Sequence, residues 1–295
     1  MKKTLLNNKI KVIAVVGPTA SGKTSYSIEL AKNIGGEIIS ADSRLIYKYM
    51  NIGTAKPTVQ EMGNIPHYMI DLIEPVDDYS AGLYKQQASL CIKQITDKGK
   101  TPIIVGGTGL YIDTLLRGYN MPQIAPDIEF RKYLEQFDND ELHKKLKKSD
   151  NDSAIKIEIN DRKKIIRALE IIKNTNQKLD NVRNLSDSNY EVEWIGRNYQ
   201  RDELYERINN RVDTMIKNGL VEETRQLLNK YGKAYNIINT IGYREICKYL
   251  DNQLSLDEAV ELLKKNTRNY AKRQLTWFRK FDDIKWNIFP EKLKK

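Results

Sequence analysis

Hydrophobic positions along the chain follow two rhythms. Val12–Val16, Glu37–Ser40 and Thr101–Val105 are short, nearly continuous apolar runs rich in β-branched residues, the pattern of strands buried on both faces of a parallel sheet. Pro66–Asp71 reads as another short strand, and Ile52–Pro57 as a loop. Between the runs, apolar residues recur at helical spacing, from the end of the first run towards Asn33 and again over Ala81–Lys98. This alternation predicts that the first 120 residues form a three-layer α/β unit around a parallel sheet.

From Met121 the rhythm changes. Pro122 and Pro126 interrupt the chain, and charged segments of helical period follow at Asp127–Phe137, Asp140–Lys148 and Asp161–Asn174. Their clustered lysines are expected to form solvated faces. Strand character returns at Val192–Ile195, which should rejoin the sheet. Residues 121–190 therefore read as an all-helical insertion, with 1–120 and 191–295 forming one core that the later residues complete with helices. The last long helix, Leu256 to Phe281, carries Leu263, Thr267, Tyr270, Gln274, Trp277 and Phe281 on one stripe. Lys265, Arg268, Lys272 and Arg279 fall on the opposite side. The first stripe is expected to pack on the core; the second faces outward, either merely solvated or tracking RNA phosphates.

Charge sharpens that choice. The 295 residues hold 49 Lys plus Arg against 39 Asp plus Glu, a formal charge of +10. Residues 261–295 alone contain eleven basic and four acidic side chains. Such uneven placement points to a polyanionic partner, nucleic acid ahead of a membrane surface, with a lysine-rich solvated surface as the alternative. Cys91 and Cys247 form no CxxC pair and suit a reducing compartment. With only His67 and His143, no Cys/His metal cluster can form. No stretch reads as a signal peptide or a membrane span, so a soluble cytoplasmic protein, expected to be a monomer, is the reading.

The chemistry starts at Gly17, Pro18, Thr19, Ala20, Ser21, Gly22, Lys23 and Thr24. This GxxxxGK[ST] stretch lies between a strand and a helix, the setting a phosphate-binding loop requires. Backbone N–H groups and the helix N-terminus would cradle a diphosphate or triphosphate. Lys23 would meet the outer phosphates, and the Thr24 hydroxyl would face Mg²⁺. Gly106–Tyr111 is a second glycine turn after a second strand, directed at the same sheet edge. Asp42 ends the Glu37–Ser40 strand at that edge, placed either as a general base or as a Mg²⁺ ligand. Arg207 and Arg211, one helical turn apart, can act as anion clamps or form surface salt bridges. His67 reads as a packing or turn residue.

Further motifs occur in one order: Ser40-Ala-Asp-Ser-Arg44, Ile52-Gly-Thr-Ala-Lys-Pro57, Pro66-His67, Gly106–Tyr111, Asn160-Asp161 with Arg167-Ala-Leu-Glu170, Ile241-Gly-Tyr243 and Thr267–Phe278. Across nearly the whole chain this series resembles the tRNA dimethylallyltransferase family. The resemblance implies a P-loop NTPase-like core with an inserted helical domain that contacts tRNA. It implies transfer of a dimethylallyl group from dimethylallyl diphosphate to the N6 amine of the adenosine just 3′ of the anticodon, with Mg²⁺. Asp42, Thr108 and Arg211 become the catalytic candidates. Asp42, Ser43, Arg44, Leu45, Lys163, Lys164, Arg167, Gly242, Tyr243, Arg244, Arg268, Lys272 and Arg279 become the tRNA-binding candidates. The match departs at Leu45, where glutamine is usual, at Tyr49, where glycine is common, and at Lys163 and Lys164, often arginine. A small-molecule P-loop kinase, an isopentenyltransferase of free adenine nucleotides and a non-catalytic RNA-binding module remain as alternatives.

Overall fold

The computed structural model describes residues 9–119, 124, 127–182 and 188–289. It divides into two compact units, one of residues 1–115 with 189–295 and one of residues 116–188. Met121, Pro122 and Pro126, where the sequence rhythm changes, lie outside the described residues.

The first unit opens with β1 (Ile10–Val16), α1 (Lys23–Ile34), β2 (Gly36–Ser40), the one-turn α2 (Val59–Met62), β3 (His67–Tyr68), α3 (Ala81–Asp97), β4 (Thr101–Gly106) and α4 (Gly109–Leu116). The apolar runs form the centre of the sheet, β1, β2 and β4, and the helical periods become α1 and α3. The expected strand over Pro66–Asp71 shrinks to two residues, because Met69 and Asp71 take positive φ of 63° and 54° and turn the chain out of extended geometry.

After the second unit the chain returns with β5 (Tyr190–Tyr199), α10 (Arg201–Lys217), α11 (Leu220–Tyr231), α12 (Tyr235–Ile238), α13 (Tyr243–Leu250), α14 (Leu256–Phe278) and β6 (Lys285–Phe289). The sheet runs β3-β2-β4-β1-β5-β6, with every pairing parallel. The region 191–295 is therefore not helical throughout: β5 extends beyond Val192–Ile195, pairs with β1 over Tyr190–Gly196, and carries β6 as an edge along Ile195–Tyr199. Lys285-Trp-Asn-Ile alternates too briefly to stand out as a strand in sequence. The α1 face bearing Ile28 and Ala31 packs with Val15, Ile38, Ile103 and Val105 of the strands. A second core gathers Tyr243, Leu263, Val212, Leu220 and Met50 where α10–α14 meet the segment after β2.

The second unit holds α5 (Ile128–Glu135), α6 (Asn139–Ser149), α7 (Asn151–Lys156), α8 (Arg162–Thr175) and α9 (Leu179–Val182) around Leu142, Leu146, Ile165 and Leu169. Its buried Glu170 accepts bonds from the Arg131 guanidinium at 2.8 and 2.9 Å and from the Asp127 amide at 2.7 Å, and it also pairs with Arg167. A buried carboxylate so matched rewards this one packing of α5 on α8. No helix among the described residues is long and apolar enough to cross a membrane.

Candidate active site

The strand order sets β2, β4 and β1 side by side, so their carboxyl ends deliver three loops to one place. These are Ala41–Leu45, the second glycine turn and the phosphate-loop motif. They wall a cavity of about 350 Å³ with Lys23, Thr24, Asp42 and Arg211 on its polar side. Ile38, Val105, Ile208, Val212 and Leu263 line it as well and make it apolar in part.

The loop is built for close approach. Gly17 takes φ of 148°, and a Cβ there would sit 2.1 Å from the Arg197 carbonyl oxygen. Gly22, at φ of 73°, caps α1 without a side-chain acceptor, which leaves the first N–H groups of the helix for an anion. Ser21 is buried and its Oγ makes no hydrogen bond among the described residues, a donor that a bound phosphate oxygen would satisfy.

Cations close around the loop. The Lys23 Nζ donates to the Pro18 carbonyl at 2.5 Å. Desolvation, with Arg211 nearby, lowers the Lys23 pKa to about 7, and Asp42 offsets part of that fall. Arg211 donates to the Thr19 hydroxyl at 3.2 Å, and its own pKa is lowered by burial. Arg207 donates to the Ala20 carbonyl at 3.0 Å and stacks its guanidinium 4.2 Å from the Tyr199 ring. The two arginines thus share the loop but not the depth: Arg211 lines the cavity and Arg207 borders the neighbouring outer cleft.

Asp42 sits in an Asx turn, its Oδ1 accepting the Arg44 N–H at 2.8 Å. Its other oxygen makes no hydrogen bond among the described residues. Thr108 holds the adjacent segment: its Oγ1 accepts the Ser43 N–H at 3.0 Å, and its N–H donates to the Ala41 carbonyl at 3.1 Å. Tyr270 lines the same cavity from α14, and burial raises the phenol's pKa. Ser43, Arg44, Leu45 and Arg244 also line the cavity. His67 does too; its Nδ1 meets the Ile65 carbonyl at 2.8 Å, and its buried Nε2 has no partner among the described residues.

Two residues absent from the sequence-based site candidates organise these loops. The Glu223 carboxylate accepts the N–H groups of Asn51, Ile52 and Gly53 at 2.9–3.1 Å and the Tyr243 hydroxyl at 2.6 Å. It thereby shapes the Ile52–Pro57 loop, which borders the cavity. Gln274 bonds both glycine loops, accepting the Thr19 N–H at 2.8 Å and donating to the Gly107 carbonyl at 3.0 Å. An amide alone in an apolar stripe was the available signal for Gln274; Glu223 gave none.

Against these positions, the family model for IPP transferase matches residues 45–281. The tRNA dimethylallyltransferase of Caldanaerobacter subterraneus subsp. tengcongensis is 47% identical over 290 residues, covering 94% of this chain and 91% of that protein. The chain belongs to the tRNA dimethylallyltransferase family. The Bacillus mycoides relative of the same name is 46% identical over 282 residues, covering 94% of this chain and 89% of its own. Among solved structures, the tRNA isopentenylpyrophosphate transferase of Bacillus halodurans aligns with a TM-score of 0.72 at 40% identity, over 95% of this chain and 90% of that one. A eukaryotic dimethylallyltransferase acting on tRNA aligns at 0.83 and 29% identity, over 95% of this chain and 74% of that one.

Several tRNA-binding candidates of this family member carry structural duties. Tyr243 is fully buried and held by Glu223, and Gly242 packs against the Gly53 backbone. Arg244 pairs with the buried Glu245 at 2.6 Å. Arg268 does not stand free on the outer face of α14, since its Nη1 donates to Asn209 on α10 at 2.6 Å. Lys272 and Arg279 are exposed there. In the second unit Lys163 is exposed, Lys164 pairs with Asp161, and Arg167 serves the buried Glu170 and the Ile124 carbonyl. The stripe of α14 also departs from a plain core face. Leu263 is buried, Thr267, Tyr270 and Gln274 line the cavity, Trp277 donates to Asp113 at 2.9 Å, and Phe281 falls outside the helix, which ends at Phe278 rather than at Phe281. Tyr49, where glycine is common in the family, has φ of 65°, a conformation that glycine adopts freely.

Proposed function

We propose that this protein transfers a dimethylallyl group from dimethylallyl diphosphate to the N6 amine of the adenosine 3′ of the anticodon in tRNA, releasing diphosphate. The observation that carries the reading is one cavity in which Lys23, Thr24 and Arg211 face the same space as a carboxylate and an apolar wall. A phosphate loop alone would serve a kinase equally. The apolar lining suits a five-carbon allylic tail, and Asp42 suits the proton of an amine.

In this mechanism the loop amides, Lys23 and Arg211 hold the diphosphate and stabilise the charge that builds on it as the allylic C–O bond breaks. Adenine N6 attacks the allylic carbon, and Asp42 takes the amine proton as the C–N bond forms. To reach the cavity the base must leave its stack. Thr108 and the Asp42–Arg44 turn hold the carboxylate in place for it.

Mg²⁺ belongs to the proposal. The described residues contain no cluster of three or more His, Cys, Asp or Glu side chains suited to a metal. The Thr24 hydroxyl beside Lys23 still fits the ion, because Mg²⁺ at phosphate sites takes one or two protein oxygens with phosphate and water for the rest. When bound, it would neutralise charge on the leaving diphosphate.

The test combines labelled dimethylallyl diphosphate, Mg²⁺ and bulk tRNA. Label entering the tRNA supports the reading. Label entering only free adenine nucleotides, or phosphoryl transfer from ATP to a nucleoside, overturns it.

A further inference from the structure

We infer that Gln274 is a positioning residue that holds the phosphate loop and the second glycine turn in register for prenyl transfer; the inference rests on the activity proposed above.

Its side chain lies on α14, is only 5% exposed, and spends both ends of its amide. Oε1 accepts the Thr19 N–H at 2.8 Å and Nε2 donates to the Gly107 carbonyl at 3.0 Å. Each bond completes a peptide group already tied on its other side. In the Pro18–Thr19 peptide, the carbonyl accepts from Lys23 while the N–H goes to Gln274. In the Gly107–Thr108 peptide, the N–H goes to the Ala41 carbonyl at 3.1 Å while the carbonyl accepts from Gln274. A peptide plane tied at both polar atoms cannot rotate without breaking a bond. One planar amide therefore sets the orientation of the group that precedes the phosphate nest and of the group that carries Thr108.

The space is made for it. A Cβ at Gly107 would lie 2.1 Å from the Gln274 Nε2, so the glycine there is required by the amide's approach. Among the described residues no hydrogen bond joins Gln274 to Asp42 or Lys23; it lines the cavity, but both polar ends of its amide are engaged by the two loops. Loss of alignment by about 1 Å between leaving group and proton acceptor is enough to slow a reaction by roughly 10²-fold.

Two variants test this in the full-length protein, with melting temperature followed in each. Gln274→Met keeps the size and apolar character of the stripe and removes both bonds. It should lower the single-turnover rate of prenyl transfer by about 10²-fold, raise the KM for the allylic diphosphate and leave the KM for tRNA unchanged. Gln274→Glu, when ionised, still accepts from Thr19 but cannot donate to Gly107. It should therefore keep the KM for the diphosphate near that of the parent while the rate falls. The two variants separate because each end of the amide governs a different loop. A Met variant with undiminished rate, or a Glu variant whose KM and rate shift together as in the Met variant, would overturn the inference. Failure of the unaltered protein to transfer label to tRNA would overturn the proposed activity instead, so the two failures are distinguishable.

Discussion

Lys23 gives the most quantitative prediction. Its ammonium is desolvated beside Arg211, with only Asp42 to offset the repulsion, and its pKa falls from 10.5 to about 7. A group whose folded pKa lies below its unfolded value binds its proton more weakly in the folded state. Stability of the empty protein therefore increases as pH climbs from about 7 to about 10. Diphosphate binding reverses the balance, because its negative charge favours the ammonium. At pH 8 a lysine of pKa about 7 is roughly nine-tenths neutral, so binding that restores its usual pKa takes up close to one proton. Affinity should fall by up to about tenfold per pH unit above 7. The assay is calorimetric titration with a non-reactive allylic thiodiphosphate, whose phosphates are ionised at pH 8 since the last phosphate pKa is near 6. Measured in Tris and in HEPES, the binding enthalpies should differ by about 0.9 of the difference in buffer ionisation enthalpy, following from that nine-tenths neutral fraction. Lys23→Arg, which cannot deprotonate, should bind without that difference. Equal enthalpies in both buffers for the parent protein would refute the reasoning.

Asp42→Asn should lower the rate of prenyl transfer by roughly 10² to 10⁴ with donor affinity nearly unchanged; full rescue by excess Mg²⁺ in a single-turnover titration would make Asp42 a metal ligand instead. Glu223→Gln puts an NH₂ group where one carboxylate oxygen accepts from Asn51 and Ile52. Losing one or two charge-assisted bonds should lower unfolding free energy by about 2–3 kcal/mol, checked by urea denaturation, and a loss within error of zero would mean the Ile52–Pro57 loop is held elsewhere. Replacing Lys272 and Arg279 by Gln should reduce the salt slope of tRNA binding by up to about one unit per lost phosphate contact. Identical slopes would show that this face of α14 is only solvated.

The central sheet was legible because β1, β2 and β4 contain short, nearly continuous apolar runs rich in β-branched residues, the pattern of strands buried on both faces. The phosphate loop was legible because its spacing and its strand–helix setting coincide. What escaped were features decided by distant partners. Pro66–Asp71 has strand-like composition, but positive φ at Met69 and Asp71 ends the strand early. Arg268 has the helical phase of an exposed cation, yet Asn209 on a neighbouring helix takes its guanidinium. Tyr243 stood in a motif that suggested RNA contact, whereas its hydroxyl completes the Glu223 site. Gln274 was placed on the correct stripe without its purpose, since its partners lie 255 and 167 residues away. Local periodicity reports which face of an element is buried; it does not report what that face meets.

The most direct measurement of the central claim is the fate of the allylic carbon. Single-turnover reactions with dimethylallyl diphosphate labelled in the isoprenoid chain should yield tRNA carrying the label on N6 of the adenosine 3′ of the anticodon, with one diphosphate released per group transferred. Label remaining in the donor, or appearing at any other position, would contradict the account.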